Sequence, residues 1–332
     1  MSIHDPDVAR WSRNSVAWGA ALWALLALFS ALGLTGLDPL ELALLLAFFV
    51  IIPLATSLAL SSLDTDSKPD RLPRLVALAQ PWAALAAATS FLPPRGLLAA
   101  ACATLWLLFT LLVALAGALR LLRSHPPSLA ETCLSLALIY LPIGAFWFVL
   151  ARLGAHPLGF GRTTVLLTAV HFHFITLAAL VLTGLTGRAL PAMGWPRATY
   201  RLAAVSMLIT PLLVAGGITI TQLTNVRAPE SAAAVLLALC LMLVAALSLR
   251  YVVPAKRPPL ARALLTVSGA SVFLAMLLAG AYAIGNVTSA WTITTPEMIA
   301  VHGSLNALGF GLCGLLGWRL SIDNDERKPQ GA

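Results

Sequence analysis

Runs of about 20 residues without a single Asp, Glu, Lys or Arg recur from one end of this chain to the other. Each is long enough to cross the roughly 30 Å hydrocarbon core of a bilayer as an α-helix. A soluble domain could not hide so many, because its outer layer has to be largely polar. Hydrophobic residues make up 59% of the 332 and charged residues only 10%. The fold class is therefore all-α, a polytopic transmembrane helical bundle of about ten spans forming one integral membrane domain over residues 1–332. The punctuation places the spans near 15–36, 39–61, 74–92, 97–119, 130–151, 163–186, 200–222, 230–250, 262–286 and 297–318. Gln80 and Pro81 interrupt the third of these. Polar tails are expected at 1–14 and 320–332, and the longest polar link runs from Ser61 to Arg74. No small-residue cleavage site follows a short apolar core near the start, so the first span reads as an anchor and not as a cleavable signal.

Basic residues set the direction of insertion. With the N-terminus in the cytoplasm, 17 of the 21 Lys and Arg fall on the cytoplasmic side, leaving Arg95, Arg152, Arg162 and Arg227 outside. The expected placement is the cell (inner) membrane, multi-pass, with both termini cytoplasmic. The net charge of +8 is then a topology signal with affinity for anionic lipid heads and does not call for nucleic acid. Cys102, Cys133, Cys240 and Cys313 all lie in apolar spans without paired spacing. They read as small packing residues, not as a disulfide framework or a thiolate metal site.

Ionisable groups inside such spans are few, and each is a candidate for function. His171 and His173 lie in the sixth span, roughly 12–15 Å below its outer boundary, and His302 and Asn306 lie in the tenth, roughly 8 and 14 Å deep. The three histidines therefore share the outer half of the membrane. Other polar side chains gather at that level: Thr219, Thr221, Gln222 and Asn225 in the seventh span, Tyr282 and Asn286 in the ninth, and Glu41 at the start of the second. Residues two apart on an α-helix differ by roughly 200° in direction, so His171 and His173 face nearly opposite ways. Residues four apart share a face, so Asn306 can orient the His302 imidazole or line the same cavity. The bland alternative is that these histidines only bond to a neighbouring helix. Glu297 after "TTP" fits a capping box with Thr294. The glycines at 303, 309, 311, 314 and 317 give the tenth span a smooth face for close packing.

"HFHF" at 171–174, with "MIAVHGSLNALGFGLCGLLGW" at 298–318, resembles the YndJ-like family of bacterial membrane proteins. The resemblance marks His171, His173, His302, Gly303, Asn306 and Gly309 as motif positions and implies no particular activity. HFHF also resembles, more weakly, a helix of the haem–copper oxidases. Those enzymes need further histidines that these spans lack.

The first functional expectation is a membrane-embedded enzyme acting on a lipophilic small molecule by isomerisation, cyclisation or hydrolysis. His171, His173, His302 and Asn306 would be its catalytic residues, with Thr219, Thr221, Gln222 and Tyr282 contacting substrate, by acid–base or metal-assisted chemistry. A transition metal would use His171 and His302; a haem is the weaker possibility. The alternatives are a small-solute or proton-linked transporter and a haem- or metal-binding accessory subunit. The partners expected are the lipid bilayer and the lipophilic molecule itself.

Overall fold

In a computed structural model of the chain, residues 6–60, 71–123 and 127–326 are described. Most of the polar link from Ser61 to Arg74, residues 1–5 and residues 327–332 lie outside them. The described residues are helical and contain no strand. Among the described residues ten long helices follow one another: α1 Pro6–Ala31, α2 Pro39–Leu60, α3 Arg71–Thr89, α4 Leu97–Arg123, α5 Leu129–Leu153, α6 Arg162–Ala189, α7 Trp195–Thr224, α8 Ala228–Ala255, α9 Pro259–Thr288 and α10 Thr295–Asn324. Nine of them are long and apolar enough to cross a membrane. The exception is α3, where Arg74, Gln80 and Pro81 dilute a 19-residue helix. The chain is thus a polytopic all-helical membrane protein.

The helices fall into two compact units, a division that hydropathy does not announce. One contains α1 to α4, α5 from Leu134 and α6 as far as Ala178; the other contains the start of α5 to Cys133 and everything from Ala179 onward.

In the first unit α2 is the most enclosed helix, with 83% of its span buried. Asp38 caps it. The Asp38 carboxylate accepts from the Leu40 and Glu41 amides, and Glu41 reaches back to the Asp38 amide at 3.1 Å. Pro53 then shapes its middle. A proline has no N–H to give the carbonyl four residues back, and its ring collides with that carbonyl. The helix widens to π winding over Ala47–Ile51, where the Ile52 amide donates five residues back to Ala47. Phe48 loses its α-helical partner in the process. Gln80 of α3 supplies a replacement, its Nε2 donating to the Phe48 carbonyl at 2.8 Å. The residue that looked like an interruption of the third span is thus a buried cap on the second. At the far end of α2, Arg120 of α4 donates to the Ala59 carbonyl at 2.7 Å and is itself buried. Gly19 of α1 meets α2 where a β-carbon would come within 2.6 Å of the Phe49 carbonyl oxygen.

The second unit packs α7 against α8, α8 against α9, and α9 against α10. Glycines set these approaches. A β-carbon at Gly217 would fall 2.5 Å from Glu230 Cα, and one at Gly309 would fall 2.2 Å from Ser271 Oγ. Gly314 and Gly317 meet Ser268 and Leu265 in the same way, whereas a β-carbon at Gly303 would meet only the Met298 carbonyl oxygen of its own helix, at 4.0 Å. The packing face expected on the tenth span therefore covers only part of its glycines. Two π segments, Met298–Gly303 and Leu305–Leu312, widen this helix. Ser268 donates to the Phe310 carbonyl within the second, at 2.8 Å.

Gln80→Leu should lower stability by about 1–3 kcal/mol, the cost of leaving a buried carbonyl unpaired, read as a lower Tm in detergent. In a Pro53→Ala background, where α2 can regain regular winding, the same change should cost clearly less. Equal costs in both backgrounds would show that the bond does not serve the π turn.

Candidate functional site

The first unit holds His171 and His173 in the last α-helical turn of α6, just before a π segment over Phe174–Ala179. Both imidazoles use one local device. Each Nδ1 lies 2.7 Å from the carbonyl four residues back, Leu167 for His171 and Ala169 for His173. A carbonyl only accepts, so Nδ1 carries the proton in both rings and Nε2 is left with its lone pair.

The environments of the two Nε2 atoms differ. His173 is fully buried. Its Nε2 accepts from Trp106 Nε1 at 3.0 Å, and an indole N–H can only donate, which fixes the same tautomer independently. Phe48 meets the ring edge-on at 5.4 Å, the Trp106 indole stacks at 6.1 Å, and Phe148 closes on Phe48 at 5.0 Å. Gly144 makes room for it, since a β-carbon there would stand 2.8 Å from His173 Nδ1. His171, exposed on the opposite side of the helix, has no partner on Nε2 among the described residues. The opposed directions expected from spacing two apart are what the helix shows.

At one end of this unit lies a charge cluster that the sequence did not predict. Buried Arg152 donates to the Ser90 and Pro93 carbonyls at 3.1 Å each, lies over the Phe91 ring at 5.0 Å and stands 3.8 Å from Glu41. Arg162 reaches Asp38 at 3.2 Å and Glu41 at 3.4 Å. Two of the four arginines left on the external side by the charge bias thus have carboxylate partners. Their signal was present in the sequence, since Asp38, Glu41, Arg152 and Arg162 all flank ends assigned to one face.

The second unit holds His302 and Asn306 within the π-wound part of α10. His302 Nδ1 lies 3.0 Å from the Ala275 carbonyl of α9 and therefore carries the proton. Asn306 Nδ2 stands 3.1 Å from His302 Nε2 and 2.9 Å from the His302 carbonyl. The amide thus occupies the second ring nitrogen of a half-buried imidazole.

The other expected contacts behave differently. Thr219 donates to Ala215 at 2.9 Å and Thr221 to Val226 at 3.1 Å, so both hydroxyl protons stay within α7 and its C-terminal turn. Gln222 is exposed near that end, and Tyr282 is half-buried in α9. Glu297 does form the capping box with Thr294, accepting from the Thr294 amide at 2.7 Å. Among the described residues no group of three or more His, Cys, Asp or Glu side chains could hold a metal ion.

These motif positions lie on a chain region with known relatives. The YndJ-like protein family matches residues 42–310, most of the chain. The chain belongs to that family. The uncharacterized membrane protein YndJ of Bacillus subtilis (strain 168) is 32% identical over 228 residues, 68% of this chain. The match spans 39% of that relative's length. No solved structure matches.

Trp106→Phe should destabilise the protein by about 1–3 kcal/mol because it leaves a buried ring nitrogen unpaired. Trp106→Phe combined with His173→Leu should recover part of that loss, and His171→Ala should shift stability by less than about 0.5 kcal/mol. Melting of the four purified proteins in one detergent reads the order; an equal loss in His171→Ala and Trp106→Phe would contradict it.

Proposed function

We propose that this YndJ-like membrane protein is an enzyme embedded in the bilayer that acts on a lipophilic small molecule, with His171 as its proton-transferring group. The observation that carries this reading is the Nε2 of His171: an exposed lone pair on a ring held in one tautomer by the Leu167 carbonyl. A neutral imidazole of this kind takes a proton from a substrate and returns it, while the carbonyl on Nδ1–H steadies the imidazolium formed in between. A substrate that partitions into lipid arrives at such a group without leaving the membrane. Isomerisation, cyclisation or hydrolysis each needs such a transfer.

His173 and His302 enter this reading as positioning residues. Both ring nitrogens of each already have protein partners. His173 holds α6 against α4 and the Phe48 turn, and so fixes the direction in which His171 points. Asn306 does the orienting of His302. The same accounting bears on a metal or haem at His171 and His302: of the two, His171 alone presents a bare nitrogen, and the donor set among the described residues does not fit a resident ion. The placement proposed with this function is the inner membrane, both termini cytoplasmic, with His171 in the outer half.

The test is a comparison of the extractable lipophilic metabolites of four strains: a deletion, and the deletion carrying wild type, His171→Ala or His171→Gln. At least one compound should accumulate in the deletion, disappear with wild type and persist with both variants at equal protein level. Identical profiles for wild type and His171→Ala would contradict the assignment.

A further inference from the structure

A cavity of about 350 Å³ opens in the second unit where the start of α5 meets the end of α6 and the start of α7. It is lined by Ser128, Arg188, Arg197, Tyr200 and Arg201, with Leu129, Ala130, Gly187 and Ala192 between them. Nearly everything polar in it donates. Arg197 is fixed as a rigid fork, giving Nη1 to Gly187, Nη2 to Leu190 and Nε to Pro191 at 2.9–3.0 Å, the carbonyls left unpaired where α6 ends. Arg188 is held by Glu131 at 2.7 and 2.8 Å. Three guanidinium groups face one carboxylate, so positive charge remains in excess. Arg201, one turn beyond Arg197 on the same face of α7, is exposed and has no partner among the described residues. The first amides of α5, at Leu129 and Ala130, precede any helical acceptor, and Ser128 Oγ takes only the Glu131 amide, at 3.3 Å.

The floor of the cavity is aromatic. Tyr200 is fully buried, and the group beside its hydroxyl is the Cys133 thiol, a weak hydrogen-bond partner. The ring packs under the Arg197 guanidinium at 5.6 Å, and Gly187 leaves the room its hydroxyl needs, since a β-carbon there would lie 2.1 Å from it. A phenol bonded to a thiol keeps capacity for a stronger acceptor.

We propose that this cavity binds a phosphate group. A tetrahedral oxyanion offers several acceptor oxygens to a wall made of guanidinium, amide and phenol donors, and excess positive charge there matches its own. The surroundings favour a phosphate carried on a lipid: Met193, Trp195 and Leu202 beside the basic wall are 84%, 64% and 67% exposed, an apolar rim for acyl chains next to a headgroup site. The charge bias assigns this end to the cytoplasmic face, where anionic lipid heads attract basic residues. The proposal does not depend on the role of His171.

The experiment is native mass spectrometry of the full-length protein in detergent, titrated with phosphatidylglycerol, with diacylglycerol of the same acyl chains, and with inorganic phosphate. Arg201→Ala and Tyr200→Phe are measured beside wild type. One phosphatidylglycerol should bind in preference to diacylglycerol, weakened about five- to tenfold in Arg201→Ala and measurably in Tyr200→Phe, with the Tm of Arg201→Ala unchanged. Inorganic phosphate binding alone, lost in the same variants, would keep the site and assign it to a soluble phosphate. Equal retention of phosphatidylglycerol and diacylglycerol without phosphate binding, or indifference to both substitutions, would overturn it.

Discussion

Backbone polar groups in a bilayer have no water to fall back on, and this protein's interior is organised around that shortage. Pro53 and the π turn before it free the Phe48 carbonyl, and Gln80 of the next helix takes it up. Arg120 does the same for the Ala59 carbonyl where α2 ends, and Ser268 adds a second donor to the Phe310 carbonyl inside a π segment. Each bond joins two helices at one register, because its carbonyl exists at one position only. Close glycine contacts then bring the helices near enough for these short reaches. Irregular turns and helix ends are thus among the points at which neighbouring helices are tied together.

The same requirement sorts the histidines. A neutral imidazole brings one donor and one acceptor into lipid, and both want partners. His173 obtains them from Ala169 and Trp106, and His302 from Ala275 and Asn306. Each therefore ties its helix to surrounding structure with nothing left over. His171 satisfies its donor through Leu167 and leaves its acceptor exposed. In a membrane segment that is an expensive state to keep without a use, and this asymmetry separates one histidine from the other two.

Much of this architecture was legible in the residues. Charge-free runs announced an all-helical, multi-pass membrane protein, because length and apolarity are what a bilayer demands of a span; the first helix nonetheless starts at Pro6, well before the expected 15. The opposed faces of His171 and His173 followed from helical geometry alone. The capping boxes at Asp38 and Thr294 were local, and the second could be read from its T-x-x-E spacing to Glu297. Partnerships across the sequence could not be read. Trp106 stands 67 positions from His173 and Ala275 stands 27 from His302. Nothing in hydropathy distinguishes a tryptophan that donates to an imidazole from one that faces lipid. The partner of Gln80 was hidden for a related reason: a polar residue inside an apolar run marks a dilution of that run and does not say which carbonyl it caps. The clustering of Glu41 with Arg152 and Arg162 was hidden likewise, although all three flank one face. The division of the contacts into two units left no mark on composition at all.

The central claim is that one imidazole of three keeps a reactive nitrogen available. Brief treatment of the purified protein with diethyl pyrocarbonate, which acylates imidazole nitrogen through its lone pair, followed by peptide mass spectrometry, tests it most directly. The account predicts rapid modification at His171, with His173 and His302 modified at least tenfold more slowly until the protein is denatured. Modification of His173 or His302 at the rate of His171 in the folded protein would contradict it.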